Sequence, residues 1–494
     1  MGLLNAPAAR RDVGSARDLV NRVLTFFSTI VVGVLLGFQY WNPNKRVVPV
    51  FIVMLVFGVA WRLSMAAAVN VLVFLLPYPK GTVFGNTNLA FILMVFVIWL
   101  LRLSLKMSPP ARSSPLNLPI FGMILWYILS FYNVQDAFAL ERAAQNFEVF
   151  LGCVLMYYVI INSVRTQKDL ERLHLAQLIT ALGVFLVAGW EARHTGQVLI
   201  PGLIDFSDTH GTDFNTRDVR VGASFRDYEL LSEYCGVCFL LTLFLWVRAK
   251  SATRRALLTL FGALNLYTMF TTVTRGVFVA LGIVFPYILY IIRRRLNPVR
   301  FMTWASALAA LVLGMNFFVA HYTNSGDLFG RLVSTKVVHG FVPEAREVPW
   351  SNAWNRALVH PLIGQGPYYG PLVGYELFWP HNVYLFIANI IGFPGLLFYL
   401  ALLGGLIWIL KPVVDDLRHE SYADAYLIVA RTQLFMFMLN EIKIDFLRNS
   451  IYTFQVWLMF GTWTAAYLVS REFGVRAGSD LLPHGTPPED REAA

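Results

Sequence analysis

Residues 381–400 read HNVYLFIANIIGFPGLLFYL. A histidine and an asparagine open the stretch, and the 18 residues after them carry no charge. A run of that length crosses a bilayer as a helix. Two further features frame it. Gly364-Gln365-Gly366 precede it, at the end of a long polar segment from about His321 to Pro380, and Gly392-Phe393-Pro394-Gly395 lie inside it. His381 therefore stands at the mouth of a membrane span, beneath a large polar loop.

Similar runs recur along the 494 residues. The chain is 57% hydrophobic and only 14% charged, against about 25% charged in soluble proteins. The alternating pattern of a β-barrel is missing. The expected fold is an all-α polytopic membrane protein of 12 to 14 transmembrane helices. The spans read as 20–40, 47–61, 64–79, 89–105, 116–133, 147–163, 174–191, 229–247, 256–273, 277–292, 301–320, 382–410, 424–440 and 451–470. Residues 1–19 form a polar, basic N-terminal segment without the pattern of a cleaved signal. Residues 471–494 form a tail expected to be disordered.

Charge placement orients the spans. Arg10, Arg11 and Arg17; Arg165, Lys168 and Arg172; Arg248, Lys250, Arg254 and Arg255; Arg293, Arg294, Arg295 and Arg300; and Lys411 with Arg418 sit in short loops. The positive-inside rule puts them in the cytoplasm together with both termini. The net charge of +10 follows from the same rule, so no nucleic-acid partner is expected. Two polar segments, about 193–228 and 321–380, then fall outside, the second forming a cap. Basic clusters flank residues 256–292 on both sides, so this stretch must be a hairpin. Its tip, Thr272-Val273-Thr274-Arg275-Gly276, faces outward. Arg220 ends the first outer loop on the same side.

A lone arginine near the membrane is costly unless it meets an anion or water. Arg220, Arg275 and His381 together suit a lipid diphosphate and an attacking hydroxyl. Arginine grips phosphate oxygens and stays charged, and a neutral histidine can take a proton. Asn382, Arg217, Arg226 and Arg356 are further candidates for substrate binding. No carboxylate pattern that would build a metal site stands out, so neither metal nor cofactor is expected. Asp205, Asp208, Asp213 and Asp218 are irregularly spaced and read as a solvated loop. Cys153, Cys235 and Cys238 read as packing residues. Residues from Trp350 to His360 read as an interfacial helix. Tyr368, Tyr369, Tyr375, Phe378 and Trp379 read as an aromatic belt or as platforms for sugar rings. Arg431 either pairs with Glu441 or Asp445 or snorkels. Glu441, Lys443, Asp445 and Arg448 read as a solvated outer turn.

The 381–400 stretch resembles the signature of the O-antigen ligase and O-antigen polymerase superfamily. WNRAL (354–358) and HPLIGQG (360–366) resemble the usual entry to that motif, TVTRGVFVALG (272–282) its hairpin and RVGASFRDYELLSEY (220–234) its arginine segment. Arg226-Asp227-Tyr228-Glu229 depart from the Asp-Pro-Asn often found there. The resemblance spans about residues 180–410. It implies a GT-C-like, metal-independent glycosyltransferase of the bacterial plasma membrane. Such an enzyme moves a glycan from undecaprenyl diphosphate to an acceptor at the outer face. Arg220 and Arg275 would bind the diphosphate, and His381 would act on the acceptor hydroxyl. Implied partners are the lipid-linked oligosaccharide, a glycan or lipid A-core acceptor, membrane lipids and other polysaccharide-assembly proteins. Two other readings compete. A transporter or flippase of a lipid-linked or amphipathic solute would show broken helices and an internal repeat. A protein O-oligosaccharyltransferase would share the site and use a polypeptide acceptor.

Overall fold

The structure, a computed structural model, describes residues 57–78 except 59, 87–194, 220–292, 298–322, 328–333, 336–338, and 342–480 except 415 and 419. The expected span 20–40, most of span 47–61 and Arg217 lie outside the described residues, as do Asp205, Asp208, Asp213 and Asp218.

The fold is all-α. In chain order the helices are α1 (Met65–Leu75), α2 (Thr87–Ser104), α3 (Asn117–Ser130), α4 (Ala137–Ser163), α5 (Gln167–Glu191), α6 (Tyr228–Arg248) and α7 (Ala252–Thr271). They continue with α8 (Arg275–Ile292), α9 (Pro298–Tyr322), α10 (Leu328–Val333), α11 (Glu344–Val359), α12 (Val383–Ile409), α13 (Tyr422–Asn440) and α14 (Ser450–Asp480). One two-residue antiparallel pair, Val337–Val338 with Val342–Pro343, precedes α11. The protein is a polytopic membrane protein. Four described helices, α4, α5, α6 and α12, have the length and hydropathy of membrane spans.

Caps explain where several helices exceed the apolar runs. Asp136 accepts from the amide of Ala139, so α4 begins ten residues before the expected span. Thr166 and Asp169 form a capping box that starts α5 at Gln167. At the other end, α14 runs through Asp480, so the first ten residues of the tail expected to be disordered are helical. The first proline after the span is Pro483, and nothing before it removes an amide donor from the helix. Residues 481–494 lie outside the described residues.

The 256–292 hairpin forms as expected, with its turn at 272–274. Its arms pack on different partners, α7 on α6 and α8 on α13. The core lies between α4 and α14, α6 and α13, and α3 and α12. Cys153, Cys235 and Cys238 are buried and unbridged within it.

The span expected at 382–410 is broken. At Gly392 the backbone takes φ 72° and ψ 176°, splitting α12. The break is filled by the chain that follows α11. Gln365 and Gly366 donate to the carbonyls of Asn389 (2.8 Å) and Ile390 (3.1 Å), and Phe393 donates to Pro361 (2.8 Å). Helical carbonyls freed by the break thus regain partners, as a buried backbone requires. A Cβ on Gly364 would stand 2.4 Å from the Ile390 carbonyl, and one on Gly392 would stand 2.6 Å from that of Leu362. Only glycine permits the two backbones to cross so closely. The two glycine motifs singled out in the sequence are the two sides of one seam.

Candidate active site

His381 occupies the residue before the N-cap of α12, at φ 44°. Asn382 caps that helix by accepting from the amide of Leu385 (3.0 Å), and Val383 donates to the carbonyl of Glu441 (3.0 Å). These bonds hold His381 in the left-handed region, which few non-glycine residues adopt. Ala223 (φ 46°), Arg226 (φ 55°) and Val273 (φ 50°) share that conformation. Val273, being β-branched, is the most strained of them. Three of the sequence segments suspected of function therefore carry backbone strain, a feature concentrated at functional sites.

The segments also meet. The carboxylate of Glu191, at the end of α5, accepts from the amides of Gly222 (3.4 Å) and Ala223 (2.6 Å), pinning the 222–225 turn. Val221 donates to Thr271 (3.2 Å). Arg220 donates to the carbonyl of Thr272 (3.1 Å) and to the hydroxyl of Thr274 (3.2 Å), and it lies over the ring of Tyr228. The next residue, Glu229, sits in the first turn of α6. Its Oε2 is 3.5 Å from Nδ1 of His381. Arg220 and the turn leading to Arg275 are thus joined to His381 through Tyr228-Glu229.

Glu229 is the hub. Arg448 binds its Oε2 at 2.8 Å and reaches Asp227, the N-cap of α6, at 2.7 Å. Arg346, from α11, binds Oε1 at 3.0 Å. Arg448 also contacts Nδ1 of His381. Arg448 stays protonated. Burial opposes its charge, but Glu229 and Asp227 outweigh that and push its pKa further up. His381 goes the other way: burial lowers its pKa, partly offset by Glu229, so the ring is neutral at neutral pH. Lys443 is pushed down by burial and by the charges of Arg275 and Arg346. Lys443 thus lies within electrostatic reach of both Arg275 and Arg346, a repulsion that an anion bound between them would relieve.

Below this layer lie Glu233, Glu441 and Asp445, all fully buried. The sequence suggested a solvated turn for 441–448. Instead, Glu441, Ile444, Asp445 and Phe446 are buried, and the Asp445 carboxyl is pushed up to about 7 by burial. Glu441 is pushed well above the carboxylate range by burial and by Glu233 and Asp445. Tyr452 donates to Glu233 (3.1 Å). Among the described residues no three His, Cys, Asp or Glu side chains are placed to hold a metal ion.

Other suspected residues have framework partners. Arg356, 2% exposed, lies inside the cap loop. It donates to Gln365 (3.0 Å) and to the Gly370 carbonyl, and stacks over Tyr369. Tyr369 is itself buried, stacked on Trp379 and Phe386, so it cannot serve as a platform for a sugar. The helix expected from Trp350 exists and starts earlier, at Glu344, with Trp354 edge-on to Phe393. Arg431 pairs with neither suggested acid as its main contact; it lies over Tyr287 and Phe435. Sequence reasoning missed Asp227, Glu229, Arg346, Lys443 and Arg448. The one available signal was a charged N-cap, Asp227, followed by a glutamate at the mouth of an apolar span.

Residues 260–400 match the family model described as O-antigen ligase. That segment is similar to the O-antigen ligase family. It runs from α7 to the middle of α12 and holds Arg275, Arg346, Arg356 and His381, while Arg220, Glu229 and Arg448 flank it. The ligase-family match supports glycan transfer of the ligase or polymerase type in general. A comparison with curated proteins finds no match.

Proposed function

We propose that the protein transfers a glycan from undecaprenyl diphosphate to an acceptor hydroxyl at the outer face of the bacterial plasma membrane. The observation that carries this reading is His381, neutral and held against Glu229, which also binds Arg346, with Lys443 in electrostatic reach of Arg346 and Arg275. The acceptor oxygen attacks the anomeric carbon as the bond from that carbon to the diphosphate oxygen breaks. The electron pair leaves with the diphosphate, and the acceptor proton passes to Nε2 of His381. Attack opposite the leaving group inverts the anomeric centre. Arg220, Arg275 and Lys443 stabilise the charge that develops on the diphosphate, replacing a metal ion.

The Nδ1 contacts set a condition on this chemistry. Arg448 can only donate, so while it faces Nδ1 the ring proton sits on Nε2 and the ring cannot act as base there. Glu229 is the partner that would hold the proton on Nδ1 and leave Nε2 basic, the role of the carboxylate in a carboxylate–histidine pair. Substrate anion drawing Arg448 away would make the switch.

The test is transfer in vitro from an undecaprenyl-diphosphate oligosaccharide to glycan, lipid A-core and polypeptide acceptors, with and without chelator. Transfer that survives chelator and disappears in folded His381→Ala supports the reading; full activity of that variant removes it. The break in α12 at Gly392 is the observation that favours a transporter instead. Its filling by residues 361–366, which leaves no open half-helix ends there, weighs against that. Lipid translocation without turnover would reverse the choice.

A further inference from the structure

Beside the seam, where the turn between α3 and α4 meets residues 360–372, lies an open cleft of about 80 Å³. That is room for about six waters, comparable to the volume that one sugar ring displaces. Its place relative to His381 follows from α12. Gln365, in the wall of the cleft, donates its amide to the carbonyl of Asn389. Asn389 stands 8 residues beyond His381, so the first arm of α12 sets the two about 12 Å apart, within reach of a short oligosaccharide.

The backbone of the cleft is fixed from several sides. Asn133 donates to the Gly364 carbonyl (2.6 Å) and Asn146 to that of Pro367 (2.9 Å). The Gln365 side chain is held at both ends, donating to the Tyr368 carbonyl (3.1 Å) and accepting from Arg356 (3.0 Å). On this frame sits an aromatic corner. Phe138, 59% exposed, meets the ring of Tyr368 edge-on at 6.1 Å. A Cβ on Gly370 would stand 2.3 Å from that ring, so glycine at 370 is what lets Tyr368 lie there. Polar groups surround the corner. One carboxylate oxygen of Asp136 accepts from the Ala139 amide (2.7 Å). Its other oxygen, the Oδ1 of Asn133, the imidazole of His360 and the Tyr368 hydroxyl make no hydrogen bond among the described residues.

We propose that this cleft binds one sugar residue of the glycan, away from the bond being made or broken. Tyr368 and Phe138 offer apolar ring surface to the C–H face of a pyranose. The free carboxylate and amide oxygens accept from its hydroxyls, and the imidazole and phenol can donate to them. The frame already holds these groups in place, so a sugar binds without having to order them. Tyr369, which burial removes as a platform, is followed in reverse by Tyr368, which lines the cleft. The site rests on the glycan-transfer reading, but its occupancy can be measured without turnover.

The probe is the oligosaccharide released by mild acid from the host cell's own lipid-linked glycan, free of lipid and diphosphate. Its binding to the full-length protein in nanodiscs is followed by saturation-transfer NMR and calorimetry, and transfer from the lipid-linked donor is measured in parallel. Wild type should bind it saturably. Tyr368→Ala should weaken binding about five- to tenfold. Gly370→Ala, which displaces the same ring without removing it, should do likewise, the Tm of each variant reporting on folding. No binding by wild type, or wild-type affinity in both variants, overturns the proposal. Weakened binding in both variants, beside full transfer by His381→Ala, keeps the sugar site and removes the catalytic reading. Unchanged binding in both, beside transfer lost in His381→Ala, does the reverse.

Discussion

His381 combines an uncommon backbone conformation with the chemical role proposed for it, and the two can be separated by substitution. Asparagine enters the left-handed region more readily than most residues but cannot serve as a base. His381→Asn should keep the wild-type Tm within a few degrees and lose about 100-fold or more in transfer rate. Because burial lowers the histidine pKa, the acid limb of the pH–rate profile should lie below about 6.5. Activity is lost as pH falls through the lowered value, where the ring gains its proton. Glu229→Gln removes the group that raises it, so that limb should move further toward acid while kcat drops; an unmoved limb would separate Glu229 from His381. The histidine was legible in the sequence because it opens an apolar run under a polar loop. Its partners were not. Arg346 and Arg448 are 117 and 219 residues from Glu229, and no local spacing encodes a contact that only packing creates.

Among the elements, α12 is the one whose shape the sequence half disclosed. Gly364, Gly366, Gly392 and Gly395 were conspicuous, but hydrophobicity alone reads 382–410 as one straight span. A break becomes visible only when another segment supplies the missing amides. Gly392→Ala would drive a methyl into the Leu362 backbone and force a β-carbon into φ 72°. It should destabilise the protein by about 2–4 kcal/mol, seen as a fall in Tm in detergent. Gly404→Ala, further along α12 with nothing within 4 Å of its Cβ, should leave the Tm unchanged or slightly raised. Similar losses in both would mean that α12 tolerates no added methyl anywhere, and the seam would lose its special place. Helix starts were misjudged for a related reason: α4 and α5 begin at polar caps, and a search for apolar runs begins where hydrophobicity does.

Across the whole molecule, charge was the most readable signal and the least complete. It anticipated the break that separates α7 from α8 at residues 272–274, because basic flanks at both ends call for a turn between them. It misled at 441–448, where a mixed-charge turn looked solvated and instead buries both of its acids, Glu441 and Asp445. The buried Asp445 carries a stability consequence. Its folded pKa, about 7, lies above the unfolded value, so its contribution is full at low pH and is lost as pH rises toward and through 7. The Tm should therefore fall between pH 5 and 8, and Asp445→Asn should flatten that fall; an unchanged slope would place the titration elsewhere. The seam between residues 361–366 and 389–393 has a consequence of its own. The amides of Gln365 and Gly366 lie in a loop by sequence, where hydrogen exchange is ordinarily fast. Their acceptors are carbonyls of α12, so they can exchange only when that helix opens. Their deuterium uptake should match the slow rate of the span and not the faster rate of the cap around them, and the root of the cap should unfold together with the membrane helix it fills.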